Sequence, residues 1–235
     1  MEKVNVSIIV PCRNEASTIE REAEKCFQAV KPLTERFEFL VINDASQDGS
    51  GEILDRLARK HTEMSVIHHE RSKGIASTLT ELYDWASQDY VLNFSFNGEW
   101  ETDDLAKIIK TRDQADIIVG KRQTRHYSFY RAIVSQIYND FSKAIFGVAT
   151  YDAGSIKLFP QKALKSARPR SKSRFADAER MILAGKIGYT IKPIPIQNYP
   201  GGKQNRFGSG PGAVLKSFID MIRMWARFYI PSRPR

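Results

Sequence analysis

Several features are scarce in this 235-residue chain, and each absence removes a class of answer. It has no run of 18 uninterrupted apolar residues, so a membrane-spanning helix is not expected. Cysteine occurs twice, as Cys12 and Cys26, in neither a CxxC nor a metal-site spacing. Free thiols in a reducing compartment are expected, not a disulfide framework. The N-terminus runs at once into Val4-Asn-Val-Ser-Ile-Ile-Val10, too short and wrongly flanked for a signal peptide, which points to the cytoplasm. Zinc-finger spacing, a basic region with heptads and an aromatic RNA-binding motif are all missing. The formal net charge of +9 therefore does not read as a nucleic-acid footprint. Much of that excess follows Lys157 and suits anionic lipid or phosphorylated substrates.

The composition, 42% hydrophobic, supports one substantial core. Short β-rich runs alternate with helical segments. Strands are predicted over 6–10, 37–43, 64–68, 90–94 and 115–119, and helices over 17–30, 50–60 and 77–87. Ser17-Thr-Ile-Glu20 has the spacing of a capping box. Further on, a helix is predicted over 127–148, a strand over 156–159, a helix over 176–184 and a strand over 189–196. Continuous apolar strands alternating with helices imply an α/β fold with a mostly parallel central sheet covered on both faces. Such sheets collect ligands at the carboxyl ends of their strands. The unusual polar residues fall there: Pro11-Cys-Arg-Asn-Glu15 follows the first strand and Asp44 the second. A carboxylate in that position can accept hydrogen bonds from a base or a ribose, and helix amides nearby can face phosphate oxygens. The plainer alternative is that Asn14, Asp44 and Ser46 only cap helices.

Ile9-Val-Pro-Cys-Arg-Asn-Glu15, Val41-Ile-Asn-Asp-Ala-Ser-Gln-Asp-Gly49 and Lys73-Gly74 together resemble the N-terminal motifs of the inverting family 2 glycosyltransferases, which have the GT-A fold. The similarity is nearest to the polyprenyl-phosphate sugar transferases, the group containing dolichyl-phosphate mannose synthase, and covers roughly residues 5–210. It implies that Pro11, Glu15 and Asp44 contact the nucleoside and that Lys73 and Gly74 lie near the nucleotide. It also implies Mg²⁺ or Mn²⁺, a nucleoside-diphosphate sugar donor, and a polyprenyl phosphate or glycan acceptor.

One departure stands out. Family members carry Asp-X-Asp after the fourth strand, where the two acids hold the cation across the donor diphosphate. This chain has Ser95-Phe-Asn97-Gly-Glu99. Neutral oxygens are weaker ligands for a hard cation. Three readings stay open: Glu99 with Asn97 or a water holds a metal; arginine and lysine balance the diphosphate without one; or the site is degenerate and the protein binds a nucleotide or serves as a scaffold. Asp103 and Asp104 read as first-turn helix acids.

On the acceptor side, Gly120-Lys-Arg122 resembles the family segment Gly-Ser-Arg, which places Arg122 near the ligand. Arg131, Ser135 and Asn139 share one helix face, and the resemblance implies that Arg131 contacts phosphate. Asp152, Gly154 and Lys157 match a family Asp…Gly…Lys segment with altered spacing. Lys157 could face an anionic group. A hydroxyl acceptor needs a general base, for which Asp177 is the first candidate and Asp152 the second. An ionised phosphate acceptor needs none. Lys203 and Arg206 belong to a glycine-bordered basic loop that could close on the donor diphosphate or the acceptor phosphate. An ordinary solvated loop is the alternative.

Residues 1–212 are expected to form the transferase-like domain, with 213–235 a basic amphipathic helix and tail. Within residues 213–230, Trp225, Phe228 and Tyr229 suit a membrane interface, and Lys216, Arg223 and Arg227 suit anionic headgroups. Packing within the protein or on a partner are the other uses of that face.

Overall fold

The computed structural model describes residues 2–123, 129–197, 199 and 211–229. In chain order the first half runs β1 Val4–Cys12, α1 Ile19–Val30, β2 Thr34–Asn43, α2 Ser50–Lys60, β3 Met64–His68, α3 Ile75–Trp85, β4 Tyr90–Asn93 and α4 Thr102–Lys110. The second half runs β5 Ile117–Arg122, α5 Phe129–Phe146, β6 Lys157–Pro160, α6 Gln161–Ser166, α7 Phe175–Lys186, β7 Ile191–Ile196 and α8 Pro211–Tyr229.

The strands form one sheet in the order β3-β2-β1-β4-β6-β5-β7. β6 is antiparallel to β4 and β5, and the other pairings are parallel. Both faces are covered, as continuous apolar strands require. In β1, Val6, Ile8 and Val10 pack into the cluster that includes Ile19, Phe27 and Leu54, while Ile9 packs on the opposite side with Leu82 and Met181. In β2, Phe39 and Val41 alternate with Leu40 and Ile42 in the same way. α1 buries Ile19, Ala23, Cys26, Phe27 and Val30, one stripe of a 3.6-residue period. A third cluster joins Phe146, Phe175, Ile182, Met221 and Met224, so α8 packs against α5 and α7.

The predicted mostly parallel α/β sheet is the one observed, and two local details differ. The capping box at Ser17 is not made: the helix starts at Ile19, and Thr18 Oγ1 turns back to donate to the Glu15 carbonyl at 3.0 Å. α6 was not expected from the sequence, because six residues between a strand and a proline-containing loop carry too little periodicity to register. Gly120 permits a close approach inside the sheet, since a Cβ there would lie 2.5 Å from Ile196 Cδ1.

Candidate active site

The rim at the carboxyl ends of β1, β2 and β4 is knit from three loops. Asp44 N donates to the Cys12 carbonyl at 2.8 Å and Phe94 N to the Ile9 carbonyl at 2.9 Å. Asn14 and Ala45 adopt positive φ (54° and 56°). This brings Asn14 N to Ser46 Oγ at 3.0 Å and Gln47 N to Asn14 Oδ1 at 2.8 Å. The Asn14 and Ser46 polar groups thus lock one loop to another across the rim.

Asp44 is the most heavily bonded acid of the rim. Its Oδ1 faces His69 Nδ1 at 2.8 Å and accepts from Lys73 N at 2.8 Å; its Oδ2 accepts from Ser72 Oγ at 2.7 Å and Gly74 N at 3.0 Å. Burial alone would raise this carboxyl, but the bonds from His69, Ser72 and the two amides outweigh it and bring the pKa down to about 2. Gly74 takes φ 82° at the entry to α3, a conformation that favours glycine and lets its amide turn onto Asp44. Lys73 Nζ reaches Glu81 at 3.0 Å, and Glu81 also meets His69 Nε2 at 3.0 Å. Lys73 and Gly74 therefore reach the rim mainly through their backbone amides. His69 and Ser72 were missed from the sequence. Applying the strand-end rule to β3 would have found His69, the first residue past that strand.

Pro11 pairs with Ile42 near the end of β1, and Glu15 sits on the turn beyond. The Glu15 amide donates to Ser50 Oγ at 3.0 Å, while its Oε2 is buried without a hydrogen-bond partner. Burial, followed by the charges of Glu99 and Asp48, pushes this carboxyl up to about 8, against one bond from the Phe96 amide. The Phe96 amide thus ties Glu15 to the β4 rim segment, while the nearby Glu99 charge opposes its ionisation.

The Ser95–Asn97 turn is closed on itself. Asn97 Oδ1 accepts from Ser95 Oγ at 2.9 Å and from Glu99 N at 3.0 Å, and Ser95 Oγ accepts from Trp100 Nε1 at 2.9 Å. As they lie, these side chains do not present the two charged oxygens that a hard cation takes. Among the described residues no group of three or more histidine, cysteine or acidic side chains could hold a metal.

Trp100 leads on to a second polar cluster: the Arg122 guanidinium lies 5.4 Å from its ring centroid. Arg122 grips Asp152 with Nε and Nη2, each at 2.7 Å, and both side chains are buried. Burial would raise Asp152, but the bonds and charge of Arg122, with Lys157 behind, hold it below the usual carboxylate range. Gly154 gives this pair room, since a Cβ there would sit 3.2 Å from Arg122 Nη2. Lys157 is fully buried at the start of β6. Its Nζ donates to Asp177 Oδ2 at 2.6 Å and to the Ser155 carbonyl at 2.8 Å, and its amide donates to Asn93 Oδ1 at 2.6 Å. The anionic group it faces is thus Asp177, on the first turn of α7. Tyr83 Oη donates to Asp177 Oδ1 at 3.4 Å, and Arg180 lies 4.3 Å from the Tyr83 ring centroid. Because β6 runs antiparallel to β4, Lys157 returns to the rim where β4 ends. Arg131 lies on α5 with its side chain outside the described atoms, and Lys203 and Arg206 lie outside the described residues.

A mostly parallel sheet with one reversed strand, bearing acids and amides on the rim of its first four strands, is the GT-A arrangement. The chain belongs to glycosyl transferase family 2, whose profile it matches over residues 7–168. It is similar to the undecaprenyl-phosphate 4-deoxy-4-formamido-L-arabinose transferase of Photorhabdus laumondii, 26% identical over 57% of this chain and 42% of that protein. It is also similar to the glycosyltransferase AglD of Haloferax volcanii, 23% identical over 85% of this chain and 34% of that protein. The chain thus spans about two fifths or less of the length of these two relatives. In fold it resembles the mannosyltransferase of Pyrobaculum calidifontis, solved with GDP-Man and Mn²⁺, at TM-score 0.68 and 19% identity over 95% of this chain and 65% of that one. Glucosyl-3-phosphoglycerate synthase of Mycobacterium tuberculosis, solved with Mn²⁺ and UDP, gives TM-score 0.69 and 14% identity over 98% and 80%.

Proposed function

We propose that this chain transfers a hexose or N-acetylhexosamine, with inversion, from a nucleoside-diphosphate sugar to a polyprenyl phosphate. The observation that carries the choice of acceptor is the state of the two candidate bases. Asp177 is bound at 2.6 Å by the buried ammonium of Lys157, and Asp152 is held bidentately by Arg122. Carboxylates neutralised in this way are poorly placed to take a proton from a sugar hydroxyl. An acceptor that arrives ionised makes that proton transfer unnecessary.

In the reaction, a phosphate oxygen of the acceptor attacks the anomeric carbon in line. A new carbon–oxygen bond forms while the bond to the donor's β-phosphate breaks, and the nucleoside diphosphate leaves with the electron pair. The protein's task is positioning and charge balance. Asp44, Glu15 and Pro11 meet the nucleoside, with the amides of Lys73 and Gly74 beside it. Arg131, Lys203 and Arg206 supply cations to the phosphates. A divalent cation would draw on Glu99 and Asn97. The undecaprenyl-phosphate transferases among the relatives support a lipid-borne acceptor. No helix of the described residues is long and apolar enough to cross a membrane, and α8 exposes Leu215, Ile219, Ile222 and Trp225, which suits peripheral contact with a cytoplasmic leaflet.

Incubation with UDP- and GDP-linked hexoses, with undecaprenyl phosphate in detergent, should give a lipid-linked sugar of inverted anomeric configuration. Transfer to oligosaccharide hydroxyls but not to the lipid phosphate would refute the acceptor assignment. The closed Ser95–Asn97 turn favours a second reading, a nucleotide-binding protein without turnover. Tight UDP or GDP binding with no transfer to either acceptor class would support that reading.

A further inference from the structure

Between Lys162 and Arg174 the chain carries six cations in thirteen residues and no acid. None of these six cations is among the rim groups described above. The segment follows β6, which leaves the rim at Lys157 and exits beside Tyr90 at the opposite end of the strands. Its backbone is fixed against α7 and α8: Ser171 N donates to Glu179 at 2.8 Å and Ser173 N to Asp220 at 3.2 Å. The side chains of Arg168, Arg170 and Lys172 remain exposed.

Where this segment meets α7 and α8 there is a cavity of about 440 Å³, lined by Arg168, Arg170 and Arg227 together with Glu179, Leu183 and Phe228. Its one acid, Glu179, is fully buried and already satisfied by Arg227 at 2.7 Å and by the Ser171 amide. Among the described residues Arg168 pairs with exposed Asp84 alone, at 3.2 Å, a surface contact that exchanges readily. Among the described residues Arg170 has no ion-pair partner. The cavity therefore offers two available guanidinium groups above an apolar wall, which suits a phosphate ester attached to something greasy.

Helical spacing places Lys216, Arg223 and Arg227 on one flank of α8, the flank toward this segment, beside the outward apolar residues Leu215, Ile219 and Ile222. A soluble phosphate would use the cavity alone, whereas an anionic bilayer matches the cavity, the cationic flank and the apolar stripe together. We propose that the Arg168–Arg170–Arg227 cavity binds the phosphate headgroup of an anionic phospholipid and so docks α8 on the leaflet. This deepens the reading of a lipid-borne acceptor by naming what holds the protein at the membrane.

The test is vesicle sedimentation of the full chain at physiological salt, comparing pure phosphatidylcholine with phosphatidylcholine containing about a third phosphatidylglycerol. The wild type should partition at least tenfold better onto the anionic vesicles. Arg168→Gln/Arg170→Gln should lose about tenfold or more of that partition. Arg36→Gln/Lys110→Gln, the same charge change at exposed residues of β2 and α4, should lose little. Equal losses in the two double variants would overturn the proposal in favour of bulk charge. Protection of residues 166–172 from amide exchange by inorganic phosphate, with no preference for anionic vesicles, would overturn it in favour of a soluble phosphate. Sugar transfer to detergent-dissolved acceptor should be unchanged in Arg168→Gln/Arg170→Gln. Absence of transfer in the wild type, with vesicle binding intact, would refute the function and leave this site standing.

Discussion

Replacing Glu15 with glutamine gives the sharpest test of the rim geometry, because the reasoning fixes both the sign and the pH window. The Glu15 carboxyl moves from 4.5 to about 8, first through burial and then through the charges of Glu99 and Asp48. A carboxyl whose folded pKa is raised keeps its proton in the folded state while the unfolded chain gives it up. Stability is therefore full below about pH 4.5 and is lost progressively until about pH 8. At about 1.4 kcal/mol per pH unit the full rise amounts to roughly 5 kcal/mol. Glu15 keeps partial contact with solvent, which brings the expected loss to about 2–4 kcal/mol. Glutamine preserves the shape and removes the titration. Urea unfolding of wild type and Glu15→Gln at pH 5.0 and pH 8.5 gives four free energies, and their double difference isolates this one group. The variant should be more stable than the wild type at pH 8.5, with the advantage shrinking toward pH 5. Parallel pH profiles for the two proteins would refute the buried placement of the Glu15 carboxyl. As a cross-check, Glu99→Gln should move the wild-type window to lower pH.

Asp44 has the opposite sign: its pKa falls from 3.8 to about 2, so its contribution is present above about pH 4 and lost as the pH drops toward 2. Asp44→Asn should cost about 2 kcal/mol at neutral pH and flatten the acid limb of the stability curve, read by thermal unfolding between pH 2 and 7. Lys157→Met strands Asp177 beside an apolar side chain and should cost about 3–5 kcal/mol, whereas Lys157→Met/Asp177→Leu should recover most of that loss. A double variant no more stable than the single one, by urea unfolding, would refute the pairing as the source of the cost. Ser95→Asp/Asn97→Asp opens the closed turn and supplies two carboxylates, so Mn²⁺ binding by calorimetry should strengthen at least tenfold. Unchanged binding would place this turn away from any cation position.

Much of the architecture was legible because strand and helix periods are strong local signals. Ser50–Lys60 and Met64–His68 match the predicted ranges residue for residue, since both are bounded by turn residues and show a clear apolar pattern. The reversed direction of β6 was not legible: its residues read as any buried strand, and orientation is decided by which neighbours it pairs with. The rim positions of Glu15 and Asp44 followed from the strand-end rule, and that of Glu99 from the resemblance to the family's Asp-X-Asp segment. What each side chain bonds to did not follow, because the partners are distant in sequence. Lys157 and Asp177 are twenty residues apart, and Arg122 and Asp152 thirty. The family resemblance could nominate Asp152 and Asp177 as bases, but only the fold reveals the cations that occupy them.

The four donors on Asp44 carry a consequence for how the rim is entered. A carboxylate with its lone pairs already in use cannot greet a newcomer without dismissing an incumbent. Ser72, Lys73 and Gly74 are the incumbents that sit on a loop, so under the proposed role of Asp44 the arrival of a nucleoside and the unlatching of that loop become one event. The backbone signals of those three residues would then serve as a built-in gauge of occupancy, readable before any sugar has moved.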